Sequence, residues 1–331
     1  MKEREIRPQA VFEKFLNYLE EDIKTFFPNS GAGKKINCPA CKSDKIKEKF
    51  TKKGFVYNWC AECRTIYASP RPPEKNFVSF YTDGKSVKYW ATDFYKKTEK
   101  NRVDGIYKPR LKKIEDIFKN ELNEKIEVLI DVGAGYGTFC ELAKKSTYFN
   151  NIIAIEPSQV FFNSLELKKI RVIKKFIENI TKDDFKGIVD RKKLFCAFEL
   201  WEHLYDPVKF LTSVKNVMNK GDYLLITTLN ILGFDLLILW KKSKSISPPQ
   251  HINFFNLESL KLILEKNGFS VVKAFTPGEL DVDIVRNMNI SFDDHLCDYI
   301  INCSDDAFRK NLQDFISKNN LSSHMWVIAK L

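Results

Sequence analysis

Histidine is scarce in this chain: there are four in 331 residues. Chemistry that needs a side chain titrating near neutral pH therefore has few candidates. No apolar run reaches the length of a membrane helix; the longest, Ile231 to Trp240, is about half of what a span needs. The first residues, MKERE, are charged and lead into no apolar stretch of the signal-peptide kind. These two absences give the expectation of a soluble, cytosolic protein without a membrane span. Arginine-rich blocks are missing too, and the formal charge of +11 comes from lysines spread along the chain. Spread charge reads first as solvated surface, although it permits anionic partners such as nucleic acid or nucleotide sugars. What is present suffices for a core: 44% of residues are hydrophobic, in a length that suits one large or two modest domains.

Residues 128–139, VLIDVGAGYGTF, organise the rest. An apolar run containing Asp131 meets Gly133, Gly135 and Gly137 at alternate positions, with Ala134 and Tyr136 between them, and a helix start follows. Strand, glycine turn and helix together present backbone N–H groups to a ligand at the C-terminal edge of a sheet. The dinucleotide pattern Gly-x-Gly-x-x-Gly fails because Thr138 stands at its last position, and no Gly-Lys-Ser/Thr of a P-loop is present. Asn151 to Glu156 is a second strand ending in an acid, 25 residues after Asp131. A carboxylate there can accept both hydroxyls of a ribose and would repel a 2′-phosphate. A third segment, Leu194 to Phe198, runs into Glu199, Leu200, Trp201, Glu202 and His203.

In this order the three segments resemble class I S-adenosylmethionine (SAM) methyltransferases, whose first motif is Asp-x-Gly-x-Gly-x-Gly. The third resembles the segment after the fourth strand in the branch that includes ubiquinone-type O-methyltransferases. The resemblance implies a Rossmann-like α/β fold: a seven-stranded sheet in the order 3-2-1-4-5-7-6, with the seventh strand antiparallel. It implies SAM contacts from Asp131, Gly133, Ala134, Gly135, Tyr136, Gly137, Glu156, Phe198, Glu199 and Leu200. The sequence pattern agrees. Strands are expected near 127–132, 152–155, 171–173, 194–198, 222–228, 270–275 and 325–330, with helices near 138–147, 158–168, 207–219 and 257–266. Asp206 before Pro207 and Asn256 before Glu258 read as helix N-caps. Phe176 and Ile177 after the third strand are candidates to flank adenine.

Cys38 and Cys41, then Cys60 and Cys63, form two Cys-x-x-Cys knuckles separated by 18 residues. That spacing fits a tetrahedral Zn²⁺ site of zinc-ribbon type, closed by four thiolates and therefore structural. Cys140, Cys196, Cys297 and Cys303 are scattered and read as ordinary thiols. Residues 68–73, ASPRPP, read as an extended linker. A ribbon followed by Pro-Arg-Pro resembles bacterial methyltransferases of surface-polysaccharide pathways, and sugar C-methyltransferases with an N-terminal zinc module. The expected layout is an amphipathic helix in 1–34, the ribbon in 35–75, an aromatic helical lid in 76–125 and the catalytic domain in 126–331 with an insert at 277–324.

The helix 9–27 must dock its apolar face either on the catalytic domain or on a second subunit. The insert is expected to cap the substrate site or to form a dimer contact. Tyr89, Trp90 and Arg110 of the aromatic segment are candidate pocket residues, and a long loop is expected after the fifth strand, over 229–255. His203 and His251 are the candidate bases, since both fall in loops beside the expected pocket; His295 and His324 read as structural or surface residues. The favoured function is O- or N-methylation of a small molecule, a sugar or nucleotide-sugar of surface glycan synthesis. The alternatives are an RNA methyltransferase that grips RNA with its ribbon, and a non-catalytic SAM-fold partner.

Overall fold

The computed structural model describes residues 2–331, and the described residues form two sheets. In chain order the strands are β1 (Ile46–Lys52), β2 (Phe55–Cys60), β3 (Ile66–Ala68), β4 (Val128–Val132), β5 (Asn151–Ile155), β6 (Arg171–Ile173), β7 (Lys193–Phe198), β8 (Tyr223–Leu229), β9 (Asn253–Phe254), β10 (Ser270–Phe275) and β11 (His324–Lys330). Seven of them form one sheet in the order β10-β11-β8-β7-β4-β5-β6. β6, β5, β4, β7 and β8 pair in parallel, while β11 is antiparallel to both β8 and β10. This is the expected order read from the opposite edge, with the expected antiparallel strand. All five residues of β4 are buried, as a central parallel strand covered on both faces requires. Asp206 accepts from the amides of Val208 and Lys209 to start the helix Pro207–Val217, and Asn256 caps Leu257–Lys266 in the same way.

The second sheet is β1-β2-β3-β9. The cysteine knuckles flank its first three strands: Cys38 and Cys41 precede β1, Cys60 ends β2, and Cys63 lies between β2 and β3. Its fourth comes from the connection after β8, through the pairs Ile66–Phe254 and Tyr67–Asn253. That connection is more ordered than the expected loop, since it also contains the helix Phe234–Leu239. The expected extended linker at 68–73 is likewise a packed element. Arg71 is buried, and its guanidinium donates to the carbonyls of Ala68 and Tyr205 and to the side chain of Asn253. A buried guanidinium is tolerated only when its donors are satisfied in this way.

The amphipathic helix Gln9–Phe26 docks within the chain. Phe12 and Phe15 meet Phe94, Phe15 meets Trp90, and Phe27, just beyond the helix, meets Phe77. Asp22 on this helix accepts from the amides of Lys85 and Ser86, so it caps a helix from a neighbouring element. Tyr89 and Trp90 are consumed by this packing: Tyr89 lies against Tyr18, and Trp90 stacks on Phe94. Tyr89 is buried and Trp90 partly buried in this packing, so both serve the aromatic face on which the amphipathic helix docks. The insert folds as Asp281–Asn287, His295–Asp298 and Asp306–Lys318. It packs Val282, Val285, Ile301 and Ile316 around Leu239.

Candidate active site

The glycine turn closes β4 at the C-terminal edge of the large sheet. Gly135 has φ +53°, and a side chain there would meet no protein atom within 4 Å. Open space therefore lies directly in front of it. Gly137 has φ +66°, and a Cβ would come within 2.3 Å of Leu165, so this glycine is required by packing. The amides of the turn are less free than the sequence leads one to expect. Gly133 and Ala134 donate to the Ile155 carbonyl, Gly137 to that of Ala134, and Gly135 to Glu156. Asp131, at the base of the turn, is buried beside the Cys140 thiol, and burial pushes its carboxyl up to about 7.

Glu156 ends β5 and straps the turn. One carboxylate oxygen accepts from the Gly135 amide and the other from the Ser158 amide, both at 2.8 Å. Each oxygen retains lone-pair capacity for a further donor. Tyr136 is held between Tyr95, stacked at 4.5 Å, and Phe161 at 5.0 Å. The helical segment before β4 thus closes over the turn. Of the two candidates after β6, Phe176 is exposed and Ile177 belongs to the core with Ile173.

A second group of side chains gathers beyond β7. Phe198 packs edge-on against Phe139, under the Arg110 guanidinium, and Leu200 lies against Gly133. Glu199 has φ +48°, a left-handed conformation uncommon for a residue with a side chain. One oxygen of Glu199 receives Arg110 at 3.0 Å, Thr227 at 2.6 Å and His324 Nε2 at 2.8 Å. Burial alone would raise this carboxyl; His324, Arg110 and Thr227 outweigh it and hold it well below the usual range. Of the aromatic segment's three pocket candidates, Arg110 alone lies here.

Glu202 is buried and accepts from Thr228 at 2.7 Å. Burial, reinforced by the charge of Glu199, pushes its carboxyl up to about 8. His203 Nδ1 stands 3.0 Å from the Tyr81 hydroxyl. His251 Nδ1 lies 2.6 Å from the Ser245 carbonyl, and the two rings are 4.8 Å apart. A carbonyl only accepts, so His251 carries its proton on Nδ1 and its lone pair on Nε2. Burial lowers His203 to about 3, with the charge of His251 adding to the effect, and burial lowers His251 to about 4. Both rings are neutral at neutral pH.

The structure brings His203 and His251 together and leaves His295 outside the group. His324 departs from its sequence reading: as the first residue of β11 it is the partner of Glu199. Tyr81 was legible only as one aromatic among several, and its pairing with His203 carries no local signal.

The four knuckle cysteines form one cluster, with Cys38 and Cys63 sulfurs at 3.4 Å and Cys41 and Cys60 sulfurs at 3.5 Å. A disulfide needs about 2.05 Å. Four thiolates about 2.3 Å from a tetrahedral zinc ion stand about 3.8 Å apart, so four unpaired sulfurs gathered this closely are compatible with a bound metal. Asn256 donates to the Cys63 carbonyl at 2.9 Å, tying the second knuckle to the helix that follows β9.

A family model described as a methyltransferase domain matches residues 102–274. No curated protein matches the sequence. Among solved structures, a SAM-dependent methyltransferase from Archaeoglobus fulgidus is similar at 22% identity and TM-score 0.45, over 72% of this chain and 100% of that one. The plantazolicin methyltransferase BamL, solved with a triazolic desmethyl analogue and SAH, is similar at 11% identity and TM-score 0.49, over 77% and 93%. A SAM-dependent methyltransferase from Mesorhizobium loti is similar at 11% identity and TM-score 0.44, over 69% and 99%.

Proposed function

The chain belongs to the methyltransferase-domain family and is a class I SAM-dependent methyltransferase, and from that premise we propose that it methylates an oxygen or nitrogen of a small molecule, a sugar or nucleotide-activated sugar of surface glycan synthesis. The glycine turn and Glu156 would hold SAM, Glu156 at its ribose hydroxyls. Phe198, Glu199 and Leu200 border it on the side of β7. The acceptor meets the methyl group beside Tyr81, His203 and His251. These side chains offer directional hydrogen bonds of the kind a polyhydroxyl molecule uses. A structural zinc ion is held by Cys38, Cys41, Cys60 and Cys63.

One observation favours a small acceptor over RNA. Of the ribbon aromatics, Phe50, Phe55 and Tyr57 are buried within the chain and Trp59 is partly buried against Trp240, which leaves no row of exposed rings on which successive bases could stack. The sugar assignment rests on the resemblance of the ribbon and Pro-Arg-Pro arrangement to polysaccharide-pathway enzymes. Mass spectrometry of surface glycans from a deletion strain tests it. The expected result is loss of one methyl increment from a defined sugar; unaltered glycans together with loss of an RNA methyl mark would overturn it.

Transfer is an in-line displacement. Bound SAM would supply an activated methyl group: the acceptor atom would attack the methyl carbon as the sulfur–carbon bond breaks, leaving a neutral thioether. The cofactor carries the activated methyl group, and the protein supplies position and charge. The acceptor must also lose a proton. In the protein without a further ligand, His203 or His251 is placed to take it; both are neutral, and burial makes each a weaker base than a free imidazole, so the acceptor's proton must be one that the reaction itself acidifies. His203→Ala is expected to lower the maximal rate by about a hundredfold or more, with SAM affinity little changed. Near-normal turnover in both His203→Ala and His251→Ala would leave catalysis to positioning alone.

Glu156→Ala tests the cofactor contacts. Hydrogen bonds to a charged group are worth roughly 1.5–3 kcal/mol each. The variant also releases the amide of Gly135, so calorimetry should show SAM binding weakened at least about tenfold. Unchanged affinity would remove Glu156 from the site.

A further inference from the structure

We infer that Glu202, His203 and His251 form a second metal site, distinct from the cysteine cluster, that binds a divalent transition-metal ion and through it two oxygen atoms of the acceptor. One ligand atom from each of the three side chains lies within 4.8 Å of the other two. Two imidazoles and one carboxylate on one side of an ion leave its remaining coordination positions open. Imidazole nitrogen selects ions of the Mn²⁺ to Zn²⁺ series over Mg²⁺ and Ca²⁺, which prefer all-oxygen shells.

The surroundings of each donor support the assignment. A metal-binding histidine has its other ring nitrogen held by a polar partner, which fixes its tautomer and direction. His251 has this in the Ser245 carbonyl at 2.6 Å, which leaves Nε2 as the ligand atom. His203 has it in the Tyr81 hydroxyl at 3.0 Å. The carboxylate of Glu202 is oriented by Thr228 at 2.7 Å. The backbone also fixes the distance between donors. Glu202 and His203 share one turn after β7, and the Glu202 carbonyl accepts from the Ile252 amide at 2.9 Å, next to His251. Tyr57 of β2 donates to the His251 carbonyl at 2.7 Å. Three donors from two segments thus lie close together, and an ion there would replace the contact that the His203 ring makes with the Gln250 backbone.

The site depends on the proposed function only for the place of the acceptor. An ion there binds a pair of neighbouring hydroxyls, so the preferred acceptor is a vicinal diol such as a sugar ring presents. Coordination lowers the pKa of a bound hydroxyl. Its proton leaves to water, the oxygen attacks the methyl carbon as the sulfur–carbon bond of SAM breaks, and S-adenosylhomocysteine departs as the neutral thioether, so charge balances with one proton released. The two histidines then act as ligands in place of a free base.

The test uses the full-length protein with its cysteine cluster loaded with zinc. Mn²⁺ is added and free Mn²⁺ is followed by electron paramagnetic resonance. One equivalent should bind in addition to the zinc, and SAM turnover should fall on mild chelation and return with Mn²⁺. His251→Ala and Glu202→Gln should each weaken Mn²⁺ binding at least about tenfold, while SAM affinity, measured by calorimetry, reports that the fold is intact. His203→Asn serves if either variant misfolds. Wild-type protein that takes up no Mn²⁺ or Co²⁺ beyond the cysteine cluster would overturn the inference, as would binding undiminished in all three variants. The metal count requires no sugar substrate. Its failure is therefore distinguishable from failure of the glycan assignment, which the deletion strain reads.

Discussion

Gly135→Val is expected to abolish SAM binding while leaving the sheet folded. Gly135 sits at φ +53° with nothing within 4 Å of the position a Cβ would take. In the proposed site the cofactor approaches the end of β4 through that open space, so an isopropyl group there should block it directly. A left-handed conformation also costs a β-branched residue roughly 1–3 kcal/mol, and the turn that holds Glu156 would shift to relieve it. Steric block and loosened turn act in the same direction, so calorimetric affinity should fall at least about a hundredfold. Gly221 supplies the control. It has φ +93°, is equally open and lies just before β8, at the sheet edge opposite the site. Gly221→Val carries comparable strain and should lower thermal stability with SAM affinity unchanged. Equal loss of affinity in both variants would mean that strain and not occlusion is responsible. Unchanged affinity in Gly135→Val would move the cofactor away from the glycine turn.

The parts of this molecule legible in the sequence are those whose signal is local. β4, the glycine turn and the following helix lie within eighteen residues, 128–145, and each step has a residue-level cause. The strand order follows from the alternation of strands and helices together with the resemblance. The cysteine knuckles are legible because metal geometry constrains spacing. What escaped are the pairings that only tertiary structure makes. Tyr81 and His203 are 122 residues apart, Glu199 and His324 are 125 apart, and Tyr57 reaches the His251 carbonyl across 194. No periodicity encodes these contacts. The aromatic segment shows the opposite difficulty. Tyr89 and Trp90 are visibly apolar, but composition cannot say whether such a ring faces a ligand or another helix. Here the helix Gln9–Phe26 needed them. The Pro-Arg-Pro stretch reads as a linker for a related reason, since proline predicts extended backbone and says nothing about the carbonyls that surround Arg71.

Loss of zinc from the cysteine cluster should disable methyl transfer while sparing SAM binding, because the cysteine-bearing strands and the segment just after His251, a proposed acceptor residue, share one sheet. β3 pairs with β9, two residues beyond His251. The Ala68 amide donates to the Ile252 carbonyl at 2.9 Å, and Tyr57 donates to the His251 carbonyl. Asn256 holds the Cys63 carbonyl of the second knuckle. The glycine turn and Glu156, by contrast, follow β4 and β5, which pair with no ribbon strand. Structural zinc supplies roughly 10–16 kcal/mol to small metal-folded domains at neutral pH, more than three short strands can replace. Cys41→Ser should therefore melt the ribbon locally, and hydrogen exchange should accelerate in β1 to β3 and also in residues 245–256. Turnover should fall at least tenfold, as an order of magnitude for misplaced catalytic groups, with calorimetric SAM affinity little changed. Elemental analysis of wild-type protein purified without chelator should find the zinc. Its absence there would refute the metal assignment. Faster exchange confined to β1 to β3, with normal turnover, would show that the acceptor loop holds its position without the ribbon.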